Sequence, residues 1–477
     1  MRELNVCAVA EKWTGHVPPA MAGLQTEHRG ERVAEDLLRT FLASLEVFRP
    51  ALTKPGFANL VVVLTGWILD PGAVTQALVA TSMAGKTHHE KYHRFFSRGT
   101  WNPDELGHRL FQWIVRRLPP EEPIRLAVDD TVAPKKGEKV FGIDTHLDAV
   151  RSTKKYKVFC IGHCWVVVAA LVKVPFSKHM WALPILFRLY RNKKTCAKKR
   201  IPYRKKTELA REMIDIAAGW AEGRTIELSG DSAYCNSTIT KGLAVHVELI
   251  GDMRPDAVLT ALPPKRTRKR GRPRKRGRRL ANPKAMARDS RRPWKTCEVN
   301  LNGKTRTIRY KDCFAQWYRA CGTRLLHIVI VHVPSGSIGI RVFFSTKAEM
   351  SVKDILEGYS GRWSIEVCFR NLKQLLGFAD SSARTQASVE RTAPFVGFTY
   401  TFLVLWFTAH VYQTPFAAPP VRPWYTHKTG LSFEDVLRAA RRVLNPRAFW
   451  DLPRLIDNLE NPDMPVVPPT TPKKRAA

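Results

Sequence analysis

The stretch PEEPIRLAVDDTVAP, residues 120–134, is where the chain changes character. Ile124 to Val128 form a short apolar run of strand type that ends in two aspartates, Asp129 and Asp130. Upstream, VAEDLLRTFLASLEVF (33–48), ANLVVVLTGWILD (58–70) and PDELGHRLFQWIVRRL (103–118) carry apolar residues at helical spacing. Asn102, Pro103 and Asp104 supply a helix start for the last of these. Downstream, strand-like runs at 157–174, 225–230 and 246–253 alternate with a helix bearing Leu209, Met213, Ile216 and Trp220. Strands alternating with helices predict an α/β domain behind a helical one.

Six segments follow from these changes of texture. Residues 1–32 read as irregular, 33–118 as a helical domain of its own, and 119–260 as the first part of the α/β domain. Residues 261–350 hold a basic, Pro- and Arg-rich linker and a β-rich insertion with runs such as LLHIVIVHV (325–333). Residues 351–415 carry further helices, and 416–477 form a tail whose end, PVVPPTTPKKRAA, predicts weak order. FVGFTYTFLVLWFTAHVY (395–412) nearly has the length of a membrane span, but Gly397, its threonines and His410 favour a buried core helix.

The chain has 477 residues, 78 Lys and Arg against 42 Asp and Glu, and a formal charge of +36. An excess of this size favours a polyanionic partner, most simply nucleic acid, because neutralised phosphates release condensed counterions. With 44% hydrophobic residues the chain is a folded protein and not a basic tail. Nine scattered cysteines predict a reducing compartment, and the N-terminus lacks the apolar core of a signal peptide.

A second stretch, GYSGRWSIEVCFRNLKQLLGF (358–378), places one glutamate among cations. On a continuous helix Tyr359, Arg362, Glu366 and Lys373 fall within an arc of about 60°, with Arg370 beside them. Apolar residues cover much of the remaining surface, so the polar stripe faces a cleft or a partner. Spacing alone allows a simple i,i+4 ion pair between Arg362 and Glu366. Companion carboxylates stand at two strand ends, Asp129 or Asp130 in RLAVDDT and Asp231 in IELSGDSAY (226–234). A single aspartate there is commonly a turn former or a helix cap. Three carboxylates in one cleft repel unless cations neutralise them, which is chemistry for Mg²⁺ with oxygen ligands. Two such ions, about 3.5–4 Å apart, serve phosphodiester displacement.

Tyr359-x2-Arg362-x3-Glu366-x6-Lys373 resembles the Tyr–Arg–Glu–Lys signature of bacterial DDE insertion-sequence transposases. DDT and GDSAY resemble that family's aspartate motifs, and HEKYHRF (89–95) resembles part of its helical N-terminal region. The likeness runs from about residue 45 to 410. It implies a helical DNA-binding domain over 33–118 and a ribonuclease-H-like catalytic domain interrupted by the β-rich insertion. It also implies Asp129, Asp231 and Glu366 as catalytic metal ligands, with Asp129 preferred to Asp130 because it follows the strand directly and fits the Asp-x-Thr pattern. Two Mg²⁺ ions, with Mn²⁺ as substitute, and a homodimer on double-stranded DNA follow from the same resemblance. Tyr359, Arg362, Lys373, Arg370 and Trp363 would contact DNA. The expected reaction is hydrolysis at transposon ends followed by strand transfer, in the bacterial cytoplasm at the nucleoid. The competing expectation is a domesticated relative that binds DNA without catalysis.

KRTRKRGRPRKRGRRL (265–280) contains Arg270, Gly271, Arg272 and Pro273, similar to the core of an AT-hook, or else forms a linker contacting phosphates. HEKYH (89–93) matches H-E-x-x-H letter for letter, but Lys91 inside the motif opposes Zn²⁺ and no third ligand is indicated. CIGHC (160–164) opens a strand and cannot by itself surround a tetrahedral ion. Of Trp101, Trp317, Trp363 and Trp424, Trp363 is the one expected to stack on bases.

Overall fold

The computed structural model describes residues 19–444 apart from 138, 149–150, 154, 265–271, 335–338, 421 and 425–429, with side chains from residue 32 onward. Five helices come first: α1 (Pro19–Leu45), α2 (Lys54–Leu69), α3 (Val74–Ala80), α4 (Glu90–Ser97) and α5 (Pro103–Val115). Strands β1 (Ile124–Pro134), β2 (Asp144–Leu147), β3 (Phe159–Lys173) and β4 (Met180–Tyr190) follow, then α6 (Lys193–Lys199) and α7 (Lys206–Trp220). Next are β5 (Ile226–Gly230), α8 (Ser237–Thr240), β6 (Val247–Met253), α9 (Pro283–Arg288), β7 (Lys295–Leu301) and β8 (Lys304–Ala315). The order ends with α10 (Tyr318–Cys321), β9 (Leu326–His332), β10 (Ile340–Ser345), α11 (Val352–Gly361), α12 (Ser364–Leu375), α13 (Gln386–Trp406) and α14 (Phe433–Val443).

All ten strands join one sheet in the order β2-β3-β1-β5-β6-β10-β9-β8-β7, with β4 also paired to β3. β1, β5 and β6 run parallel to one another, and β3 runs antiparallel to β1. The middle of β3 is buried without a break, as expected of a strand covered by helices on both faces. The predicted β-rich insertion is therefore not a separate body: β10 pairs with β6, and β9, β8 and β7 continue the same sheet.

β4 was hidden in the sequence by Pro184, which demotes a strand reading. The structure accommodates it with a register shift between Val168 and Ala169, on a strand whose partner is β3 alone. Such shifts and edges are where a sheet tolerates a residue without an N–H.

The N-terminal helices do not enclose a core of their own. Phe41 meets Phe402 and Trp406 edge-on, Trp67 meets Phe395, and Trp67 Nε1 donates to the Leu376 carbonyl at 2.9 Å. One continuous apolar core thus runs from Leu37 to Leu444. α13 lies at its centre, so close to β4 that a Cβ on Gly397 would come within 2.2 Å of the Phe187 ring. With Val411 its apolar run reaches 26 residues, enough to cross a bilayer, but 89% of the most apolar window is buried in the protein. Its hydropathy matches its place in the core.

Two expected irregular ends contain helix. α1 begins at Pro19, inside the segment expected to be irregular. α14 lies within the expected tail, seats Phe433, Val436, Leu437, Ala440 and Val443 in the core, and fixes Arg441 Nε on the Ile68 carbonyl at 2.7 Å.

Candidate active site

Parallel pairing puts the first two candidate carboxylates side by side. Val128 is level with Gly230, so Asp129 and Asp231 are the next residues on adjacent strands. Asp231 turns the chain out of the sheet: its Oδ1 accepts from the backbone N–H of Ala233 at 2.9 Å and of Tyr234 at 3.3 Å. Gly230 is level with Gly251 on β6, which brings Asp252 into the same row. Asp252 Oδ2 receives Arg341 at 2.8 Å and lies 3.5 Å from the Tyr359 hydroxyl. Sequence reasoning missed Asp252, although ELIGD (248–252) repeats ELSGD (227–231) and signals it.

Asp129 and Asp130 point to opposite faces of β1, as alternation along a strand requires. Asp130 is well partnered: Lys206 Nζ donates at 2.6 Å, the Tyr234 hydroxyl at 2.8 Å, and Cys164 Sγ lies at 3.5 Å. Burial opposes charge on Lys206, yet Cys164 and Asp130 outweigh it and raise its pKa. Asp129 accepts the N–H of Asp130 at 2.8 Å and one guanidinium nitrogen of Arg362 at 2.8 Å. Burial dominates there and pushes its carboxyl up to about 7, against the pull of Arg362, with Asp231 adding like-charge repulsion.

Arg362 is held where α11 gives way to α12. The expected single helix over 358–378 breaks at Arg362 and Trp363, which are joined by i→i+3 backbone bonds such as Arg362 N to Tyr359 O at 3.1 Å. Ser364 Oγ donates to the Gly361 carbonyl at 2.8 Å, a local bond that competes with the helical ladder. Arg362 reaches Asp129 with one nitrogen and Glu366 with the other, at 3.0 Å, so the predicted i,i+4 pair exists and is shared. Its side chain is 11% exposed and its Nε has no hydrogen-bond partner.

The break redistributes the expected stripe. Tyr359 is buried, with its ring 4.7 Å from that of Phe343 and 5.6 Å from the Arg362 guanidinium, and its hydroxyl faces Asp252. Lys373 is half-buried, and that burial lowers its pKa. Arg370 is exposed and, with Trp363 (54% exposed), lines a cavity of about 360 Å³. Among the described residues no group of three or more His, Cys, Asp or Glu is arranged to hold a metal as it stands. Arg362 stands between two of the carboxylates, paired with both Asp129 and Glu366. The donor set itself, carboxylate oxygens at converging strand and helix ends, suits a hard divalent cation.

A family model described as DDE superfamily endonuclease matches residues 47–314, more than half of the chain. The chain belongs to the DDE superfamily endonucleases. A second model, archaeal putative transposase ISC1217, matches residues 319–407 of this DDE protein. A search of curated proteins found no match. Among solved structures, the piggyBac transposase synaptic complex with hairpin DNA is similar over 88% of this chain and 77% of that one, at 13% identity and a TM-score of 0.38.

The remaining motifs of the DDE protein have local partners, apart from Cys164, which meets Asp130. In HEKYH, Glu90 pairs with Arg94 at 2.7 Å, and His89 and His93 meet ring to ring at 5.7 Å. His163 of CIGHC bonds the Phe141 carbonyl at 2.8 Å, and the described cysteines are free thiols. Arg270 and Gly271 lie outside the described residues; Arg272 and Pro273 are exposed. Trp101 is buried, Trp317 packs edge-on against Phe344 at 5.6 Å, and Trp424 is exposed.

Proposed function

We propose that this DDE endonuclease is a DNA transposase. Its reaction would be hydrolysis of a phosphodiester at each element end, which frees a 3′-hydroxyl. That hydroxyl then attacks a target phosphorus, with the target strand's own 3′-oxygen leaving. The observation that carries the reading is the side-by-side placement of Asp129 and Asp231 on adjacent parallel strands, with Glu366 tied to Asp129 through Arg362. The mixed sheet, with β1, β5 and β6 parallel and β3 turned back beside β1, supports a ribonuclease-H-like catalytic domain.

Asp129, Asp231 and Glu366 are the residues to hold divalent metal, Mg²⁺ or Mn²⁺. When bound, two such ions activate water and stabilise the leaving oxygen. The protein's own contributions are distinct. The buried Asp129 carboxyl must give up its proton, and Arg362 must leave it. A guanidinium so released is suited to a phosphate oxygen, which it grips in a bidentate way. Exposed Arg370 and half-buried Lys373 lie further along α12 to follow the strand. Trp363 is exposed enough to stack on a base, and Tyr359 acts by backing Arg362. The net charge of +36 favours DNA as the partner, and joining two ends requires two protomers on it.

The test is strand cleavage of labelled DNA carrying the element's own flanks, in Mg²⁺ and in EDTA. Metal-dependent nicking at the boundary is expected, and Asp231→Ala should abolish it while retaining DNA binding. Full cleavage by that variant overturns the site. Tight binding without nicking in either Mg²⁺ or Mn²⁺ transfers the reading to a non-catalytic DNA-binding protein. The observation on the side of that second reading is that Arg362 already pairs with both Asp129 and Glu366.

A further inference from the structure

Of the twelve large apolar side chains exposed among the described residues, four stand on one hairpin. Leu147 of β2 and Phe159 and Ile161 of β3 are 47%, 62% and 59% exposed, and Tyr156 in the turn between them is 70% exposed. Leu147 is level with Phe159 and Thr145 with Ile161, so these side chains share one face. Asp144 and His146 alternate with them and are buried. Backbone bonds brace the hairpin. Asp148 N donates to the Val158 carbonyl at 2.9 Å, Thr153 N to the Tyr156 carbonyl at 2.8 Å, and, at the base, Phe141 N to the Arg384 carbonyl at 2.9 Å.

Register relates this face to the carboxylates. Asp129 is level with Val167, and alternation along β3 puts Val167, Ile161 and Phe159 on the same face. Six residues of strand, about 20 Å, separate the level of Asp129 from Ile161. That span equals about six base pairs of B-form DNA. Exposed Lys155 and Lys157 flank Tyr156, and among the described residues neither makes a salt bridge. A cluster of exposed apolar side chains marks a surface of interaction. A second copy would bring the same lysines together in a chain of charge +36, where like charges repel. A duplex complements both parts, with phosphates for the lysines and base steps that admit Phe, Leu and Ile wedges from the minor groove.

We propose that the outward face of the β2–β3 hairpin is a DNA wedge: Phe159, Ile161 and Leu147 enter a base step about six base pairs from the bond opened at Asp129, while Lys155 and Lys157 hold the flanking phosphates. This rests on the DNA-acting reading above and adds a distortion of the duplex away from the reacting strand.

The test uses the full chain in EDTA and duplexes of the element end with 2-aminopurine placed at each step in turn. Fluorescence should rise at a step about six base pairs from the boundary, where the base is unstacked. Phe159→Thr with Ile161→Thr keeps β-branched residues on an exposed strand face and removes the wedge. The pair should abolish that rise, weaken binding about tenfold and leave the slope of log K against log salt unchanged. A mismatch at the same step lowers the cost of unstacking, so it should tighten wild-type binding about fivefold and that of the double variant not at all. Lys155→Ala with Lys157→Ala should instead flatten the salt slope by about 0.9 per lost phosphate contact. Wild-type affinity and mismatch preference in the threonine variant, with wild type binding and nicking DNA, overturn the wedge alone. Loss of self-association by that variant without DNA, with its mismatch preference intact, assigns the face to a second copy and also overturns the wedge. Failure of wild type to bind any DNA overturns the wedge and the functional reading together.

Discussion

The two faces of β1 carry adjacent aspartates in opposite circumstances. On one, Asp130 is enclosed by Lys206, Tyr234 and Cys164, and its charge is met by the protein itself. On the other, Asp129 has a backbone N–H and part of a guanidinium, and burial keeps its carboxyl near pH 7. Saturated partners mark a structural group, whereas a desolvated carboxylate sharing one cation with Glu366 marks a place prepared for more positive charge. The contrast supports the proposed choice of Asp129 over Asp130, two residues that the sequence sets side by side.

It breaks most visibly in activity. Asp129→Ala should lower metal-dependent nicking by on the order of 10³-fold or more, measured as single-turnover cleavage. Asp130→Ala should nick within about tenfold of wild type at a temperature where it is folded, since its carboxylate serves Lys206 and not the reacting strand. The reverse pattern would exchange the two roles. Stability should run the other way. Losing Asp130 leaves a two-thirds-buried ammonium without its carboxylate, and for a pair this accessible to water the loss should be about 1–3 kcal/mol. Denaturation of Asp130→Ala in EDTA measures that loss, and a loss below about 1 kcal/mol would remove the structural reading.

Much of this contrast was legible before any coordinates. An apolar run ending in Asp-Asp, a second run ending in Gly-Asp and a glutamate four residues after an arginine sit where the structure brings them together. The parts that stayed hidden are those decided by tertiary contacts. Pro184 disguised β4 because only a bulge on an edge strand makes the residue acceptable. The break at Arg362 follows from a competing Ser364 bond and a partner on β1, neither of which alters helical periodicity. Asp252 needed the register of β5 against β6 before its repeat of ELSGD had meaning. The insertion strands looked like a separate unit because alternation describes a strand and says nothing of which edge it extends.

The protonation of Asp129 sharpens the comparison at intermediate size. Its folded pKa is raised, from 3.8 to about 7, so the folded state holds a proton that the unfolded chain has lost. The stability of metal-free protein should therefore fall as pH rises from about 4 to 7, and level off above that. A rise from 3.8 to about 7 corresponds to on the order of 4 kcal/mol. Asp129→Asn should erase this slope, read as the difference between the two pH profiles of thermal unfolding in EDTA. A slope that survives in Asp129→Asn belongs to other groups. Divalent metal needs the ionised carboxylate, so its binding to wild type near pH 7 should release protons that Asp129→Asn does not.

Tyr234 offers the finest cut, because it touches both environments. Its backbone N–H donates to Asp231, and its side chain, 1% exposed, donates to Asp130. Tyr234→Phe deletes the second bond and leaves the first, so it separates the two faces within one residue. Asp130 keeps Lys206, and the loss of one hydrogen bond to a charged partner should cost about 1.5–3 kcal/mol at most, nearer 1 if water enters. Nicking should stay within about twofold of wild type, since the turn that aims Asp231 is built from backbone. A collapse of nicking in Tyr234→Phe with stability nearly intact would mean that the Asp130 network reaches across β1 to orient Asp231. The two faces would then be one device, and Asp130 would count among the residues that position the site.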